Sequence, residues 1–344
     1  MNRLAFRSIP SELPPRCSSA RLERALQPPV LNAIQQHGAY RVDSLLHREP
    51  SAEIYLVQRS DDDSWWALKV LTDSNPRHLG RLEREVLVRD GLRHPHIVPA
   101  YEVLTVAGHA ALVMDFVEGP SLRSWLRTQR PSTSEALQLF AGIVQAVSHA
   151  HDHGVIHRDL RPGNVLLAPA GTDRFTPRVA DWGLAKVRAD SVGPLGGLTT
   201  LQKGLGTAGY AAPEQVRDAA SAGPPADVFS LGCVLYELLA GQPPFHGRGE
   251  MDAALAARDE QFTTLDRALP GAHPMLVELV HDMLRGDPDL RPQNARAVWE
   301  RLMELPPELS SEAVAESPWR RAALLGAPLA IAALIGTVVV LLAA

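Results

Sequence analysis

Cysteine is scarce in this chain. Cys17 and Cys233 are the only two among 344 residues, too few for a disulfide framework and in keeping with a reducing compartment. A strong charge of one sign is missing too, and the net charge of −5 gives no reason to expect a nucleic-acid partner. The N-terminus, MNRLAFRSIPSELPP, lacks the apolar stretch of roughly 7–15 residues that marks a secretory signal. No internal repeat is present. Glycine is absent from the whole of Ala39 to Leu79, so no residue there takes positive φ without cost.

What is present suits a globular protein. The composition is 45% hydrophobic and 21% charged, and the length suits one large domain of two lobes or two ordinary domains. Residues 1–39 are rich in Pro, Ser and Arg and read as a flexible or loosely docked extension. Tyr40 to Leu71 alternates apolar and polar positions around Asp61–Asp63, which predicts strand, strand, turn and strand. Leu79 to Gly91 has helical spacing, and Ala110–Val117 is a short apolar run suited to a buried strand. From Ser134 onward the patterns are helical, broken by loops rich in Pro and Gly. Residues 306–321 form a polar linker.

The last 23 residues, Ala322 to Ala344, carry no charge. As a helix they would reach roughly 34 Å, enough to cross a bilayer core. Arg320 and Arg321 precede them. Positive residues favour the cytoplasmic side, so a single-pass anchor with everything N-terminal to it in the cytoplasm is expected. With Ala344 as the last residue, no outer module is expected beyond that anchor.

The densest chemical signal is His157-Arg158-Asp159-Leu160-Arg161-Pro162-Gly163-Asn164. A carboxylate and a side-chain amide on one short loop can orient a hydroxyl and reach a magnesium ion. Asp181-Trp182-Gly183 follows. Upstream, Trp66-Ala67-Leu68-Lys69 ends a predicted strand, and Glu85 lies nine residues before His94-Pro95-His96-Ile97-Val98. Downstream come Gly206–Glu214 (GTAGYAAPE), Asp227–Gly232 (DVFSLG) and Asp287–Pro292 (DPDLRP).

In this order and spacing, over residues 40–305, the chain resembles eukaryotic-type (Hanks-type) serine/threonine protein kinases of the bacterial kind. The resemblance implies an α+β, bilobal fold with a β-rich N-lobe (40–117) and a helical C-lobe (118–305). It implies ATP and Mg²⁺ as cofactors and protein substrates as partners. Asp159 would orient the hydroxyl and accept its proton, and Arg161 would stabilise developing charge. Lys69, braced by Glu85, would hold the α/β-phosphates, while Asn164 and Asp181 would hold Mg²⁺. Ala67 and Leu166 would sandwich the adenine, with Ile54 at the end of the phosphate-loop pattern and Met114 as gatekeeper. The backbone of Asp115 and Val117 would hydrogen-bond the base. Arg291 would pair with Glu214. Arg158 implies control by phosphorylation of the activation segment, with Thr199, Thr200 and Thr207 as candidates. Thr207 also matches a position typical of Ser/Thr enzymes. Anchored chains would be concentrated for phosphorylation in trans within a homodimer.

The chain departs from the family at three places. The pattern Gly-x-Gly-x-x-Gly-x-Val falls on His47–Ile54, where His47, Glu49 and Ala52 replace the glycines and Pro50 removes an N–H. Arg89 stands where an apolar residue is usual, and Arg161 where Lys is usual. An active kinase and a pseudokinase scaffold that turns over little or no ATP are the two readings. The histidines of His149–His157 (HAHDHGVIH) do not fall three to one helical face, which argues against a zinc site.

Overall fold

In a computed structural model of the chain, the described residues are 34, 38–49, 52–72, 92–171, 174–182, 208–217, 222–245 and 250–309. Those within 1–88 and 100–116 form one compact unit. Those within 89–99 and 117–344 form a second.

The first unit is an antiparallel sheet of five strands in the order β1-β2-β3-β5-β4. Its strands are β1 (Tyr40–Glu49), β2 (Ala52–Arg59), β3 (Trp65–Leu71), β4 (Ala100–Val106) and β5 (His109–Asp115). The Asp61–Asp63 turn behaves as its composition predicts. Asp62 accepts from the Ser64 amide at 3.0 Å, and Asp63 takes φ 56°, a conformation that Asp tolerates better than most residues. The β4–β5 turn uses Ala107 (φ 51°) and Gly108 (φ 80°), the paired positive φ of a tight hairpin. One face of the sheet buries Tyr55, Val57, Leu68, Val70, Ala111 and Val113. Ile34 joins that cluster at 1% exposure. At that residue the extension is docked, and its apolar side chain covers sheet surface that would otherwise meet water.

The second unit is built on helices α1 (Leu122–Leu126), α2 (Thr133–Asp152), α3 (Pro213–Arg217), α4 (Pro224–Ala240), α5 (Glu250–Arg258), α6 (Leu265–Ala268), α7 (Pro274–Met283) and α8 (Ala295–Met303). Ser132 caps α2 by accepting from the Glu135 amide at 3.2 Å. Gly223 and Pro224–Pro225 open α4, and Gly241 closes it at φ 76°. Ala226 to Tyr236 of α4 are all buried, with α2, α7 and α8 packed around this helix. It is buried on every side along that stretch because it is the centre of the unit.

A two-stranded hairpin, β6 (Val165–Pro169) with β7 (Phe175–Val179), corrects the purely helical expectation after Ser134. Each strand has only five residues and contains a proline, too short for a period of two to show. Among the described residues no helix is long and apolar enough to cross a membrane. The predicted span 322–344, linker residues 310–321, Glu85, Arg89, Thr199, Thr200 and Thr207 lie outside the described residues.

Candidate active site

The β6–β7 hairpin sets the register of the chemistry in the second unit. Val165 pairs with Val179, and the Ala180 amide donates to the Asn164 carbonyl at 2.8 Å. Asn164 and Asp181, 17 positions apart in sequence, therefore flank one end of one hairpin. His94–Val98 docks beside β7: the Val98 amide donates to Val179 O at 2.9 Å, and the Val179 amide donates to His96 O at 2.8 Å.

The loop before β6 holds Asp159 and Asn164 together. Asn164 is 2% exposed, and its Nδ2 donates to Asp159 O at 2.7 Å and to Asp159 Oδ2 at 3.2 Å. That leaves Asn164 Oδ1 as the oxygen donor of the amide. Asp159 Oδ1 is buried and accepts no hydrogen bond among the described residues. Arg161 Nε lies 3.6 Å from it.

His157, fully buried, ties this loop to the Asp-Trp-Gly segment. Its Nδ1 accepts from the Asp159 amide at 3.3 Å, which makes Nε2 the donor to Ala180 O at 2.9 Å. Trp182, 3% exposed, lies with its ring 4.7 Å from the imidazole. Its Nε1 donates to Val179 O at 2.9 Å. Arg158 (φ 66°) and Asp181 (φ 65°) both take left-handed backbone. For side chains of that kind this is strain held by surrounding bonds.

At Arg158, Asp227 supplies those bonds. It is fully buried in the first turn of α4. Its carboxylate accepts from the His157 amide at 2.7 Å, the Arg158 amide at 2.8 Å and His151 Nε2 at 2.9 Å. Burial pushes its pKa upward, but the His151 hydrogen bond and the other donors outweigh that and hold the carboxyl below its ordinary value. His151 in turn accepts from the Ala295 amide at 3.2 Å through Nδ1. The sequence analysis gives Asp227 no role beyond heading the segment Asp227–Gly232. The available signal was a carboxylate heading the apolar run Val228–Tyr236, which carries any charge at its head into the core.

The Gly206–Glu214 segment ends in a paired anchor. Arg291 donates through Nη1 and Nη2 to Glu214 Oε1 and Oε2 at 2.7 and 2.9 Å. Its other donors meet Pro225 O, Gly286 O and Arg285 O, so all five N–H groups are used. The guanidinium carbon also sits 4.9 Å from the Phe229 ring centroid. Gln215 links the same segment to the loop, accepting from the Ala212 amide at 3.1 Å and donating to Arg158 O at 2.8 Å. Tyr210 donates to Glu237 at 2.6 Å, and burial raises both their pKa values.

In the first unit Lys69 is 2% exposed on β3. Its strand neighbours in register are Ile54 on β2 and Leu112 on β5. Ala67 pairs with Met114, both 6% exposed, and Asp115 ends β5. Val117, 7% exposed, and Leu166, half-buried on β6, belong to the second unit. Lys69 Nζ lies 4.0 Å from Glu49 Oε2. Glu85, its expected brace, is outside the described residues.

The oxygen donors of the second unit fit a magnesium ion, and the lysine of the first unit, taken by itself, fits a phosphate. Asp159, Asn164 and Asp181 offer hard oxygen donors, and Lys69 is a buried cation suited to phosphate. Among the described residues no three His, Cys, Asp or Glu side chains gather to hold a metal by themselves. One or two carboxylates completed by phosphate oxygens and water is the coordination that Mg²⁺ prefers.

Residues 40–303 match the protein kinase domain. Over 263 residues the chain is 32% identical to "Serine/threonine-protein kinase PknJ" of Mycobacterium tuberculosis, covering 75% of this chain and 44% of that protein. It is 32% identical over 248 residues to "Probable serine/threonine-protein kinase PknB" of Lactococcus lactis, covering 70% and 38%. It is 38% identical over 214 residues to "Serine/threonine-protein kinase PkaA" of Streptomyces coelicolor, covering 61% and 36%. The chain thus spans less than half the length of these curated relatives.

Proposed function

The chain belongs to the protein kinase family, and on that premise we propose that it transfers the γ-phosphoryl group of ATP to serine and threonine hydroxyls of proteins. The observation that carries this reading is the Asp159–Asn164 pair. The Asn164 amide donates to the Asp159 backbone carbonyl and to one oxygen of its carboxylate, while the other carboxylate oxygen is buried and accepts no hydrogen bond among the described residues. Asp159 positions the substrate hydroxyl and accepts its proton. Arg161, 3.6 Å away, stabilises charge developing beside it. Asn164 and Asp181 hold the metal, and Lys69 with Glu85 positions the α/β-phosphates. Ile54, Ala67, Met114, Leu166 and the backbone of Asp115 and Val117 receive the adenine. Bound Mg·ATP supplies the transferable phosphoryl group and neutralises its charge.

Regulation is assigned to Arg158, with phosphate on Thr199, Thr200 or Thr207 as its partner. The apolar segment 322–344 anchors the chain as a single membrane pass with the kinase domain in the cytoplasm, and the anchored chains phosphorylate one another in trans. The test of activity is Mg²⁺-dependent incorporation of radiolabelled phosphate into the chain and a generic protein substrate. Asp159→Asn should lower incorporation by at least about a thousandfold with an unchanged melting temperature. Equal silence of parent and variant at saturating Mg·ATP sinks the enzyme reading. Mass spectrometry of labelled chain with no phosphate on the three threonines removes them as switches.

A second reading, a scaffold that turns over little ATP, draws on one observation. The hairpin that would cover the phosphates has no glycine and carries Glu49 beside Lys69. The retained Lys69, Asp159, Asn164 and Asp181 favour the enzyme.

A further inference from the structure

Glu49 stands on the second glycine position of the phosphate-loop pattern, and the sheet register shows where its side chain goes. β1 and β2 stay paired to their tips: His47 faces Ile54, Arg48 faces Glu53, and Glu49 faces Ala52. β2 and β3 pair Ile54 with Lys69 and Ala52 with Leu71. Residues directly opposite, and residues two apart on one strand, share a face of a sheet. His47, Glu49, Ala52, Ile54, Lys69 and Leu71 therefore share one face, and Glu49 sits diagonally across β2 from Lys69.

The residue between them is small. Ala52 is fully buried and offers a single methyl, so the Glu49 carboxylate reaches over it. Oε2 comes to 4.0 Å from Lys69 Nζ, and Oε1 to 3.9 Å from His47 Nε2. The Glu49 side chain is 14% exposed and that of Lys69 2%, so water screens this attraction weakly. The strand tip is also fixed from the opposite face. Arg48 Nε lies 2.7 Å from Glu53 Oε1, and buried Glu53 accepts from the Tyr55 hydroxyl. A carboxylate held on so constrained a tip loses little freedom by staying near its cation.

We propose that Glu49 is a built-in counter-ion of Lys69 that competes with the phosphates of the nucleotide, so the chain sets its nucleotide affinity by displacement of its own carboxylate. This rests on the reading of Lys69 as a phosphate-binding residue. Two anions of unlike origin meet one buried cation. Glu49 adds a carboxylate beside that cation from the side of the phosphate loop, so the phosphates approach Lys69 against its repulsion and gain most when it moves away. Adenosine carries no phosphate and is indifferent to the exchange.

The test titrates the full chain with Mg·ADP and, separately, with adenosine. Removing the charge in Glu49→Gln should tighten Mg·ADP on the order of tenfold and leave adenosine binding unchanged. Glu49→Ala should tighten Mg·ADP likewise and serves if the Gln protein does not fold. Unchanged Mg·ADP affinity in the variants overturns the proposal, as does equal tightening of both ligands, which would mark a change in the sheet and not in the charge. Binding of neither ligand by parent or variant overturns the nucleotide reading itself, and the proposal with it.

Discussion

Arg291 concentrates more polar bonding than any other side chain described here. Five donors, one bidentate carboxylate and an aromatic face converge on a guanidinium whose side chain has no exposure. Arg291→Leu would strand Glu214 and three carbonyls, and breaking a buried pair of this kind costs about 3–5 kcal/mol. The expected outcome is a fall of that size in unfolding free energy, measured by denaturant titration. Arg291→Lys should recover less than half of it, because a point charge does not replace a planar fork. This pairing was expected from the family resemblance, since both residues lie in motifs that carry it, and periodicity or composition alone would not have given it. Asp227 was not legible as a hub. Its acceptors serve backbone amides at His157 and Arg158, and a backbone amide leaves no mark on residue identity. Glu49 was legible as a departure, but its target was not, because only the register of β1 on β2 and β3 aims it at Lys69.

At the scale of elements, the strands of 40–71 and the long helices after Ser134 could be read from periodicity. β4 was missed because only Leu104 and Val106 of Ala100–Val106 are buried, so its alternation shows over a single repeat. The β6–β7 hairpin was missed for its brevity, although it brings Asn164 and Asp181 to one end. The hairpin in turn needs Gly142 on α2. A Cβ at that glycine would lie 2.7 Å from Pro177 Cγ and 2.8 Å from the His96 ring. His96 itself donates through Nδ1 to Pro177 O at 2.8 Å. Alanine would ordinarily favour a helix over glycine by about 1 kcal/mol. Here the overlap with a proline ring and a bonded imidazole should reverse the sign. Gly142→Ala is expected to destabilise by about 1–3 kcal/mol in thermal melting.

At the scale of the whole molecule, the chain carries two compact units and, at 322–344, a long segment without charge. Removing 322–344 tests the proposed anchor. The truncated chain should stay in the supernatant after membranes are sedimented, whereas the full chain should pellet. Pelleting of both would place the membrane attachment elsewhere. Neither result bears on the chemistry, whose residues all lie between 49 and 181. Their arrangement nonetheless depends on residues far along the chain. The amides that shape the catalytic loop at His157 and Arg158 find their acceptor 70 and 69 positions later, at Asp227. On a chain synthesised from its N-terminus, the loop emerges complete in sequence and without the carboxylate that bends it. Contacts of such separation form late. A nascent chain therefore carries the loop His157–Asn164 before the carboxylate that holds its backbone at His157 and Arg158, and gains that acceptor only when helix α4 docks.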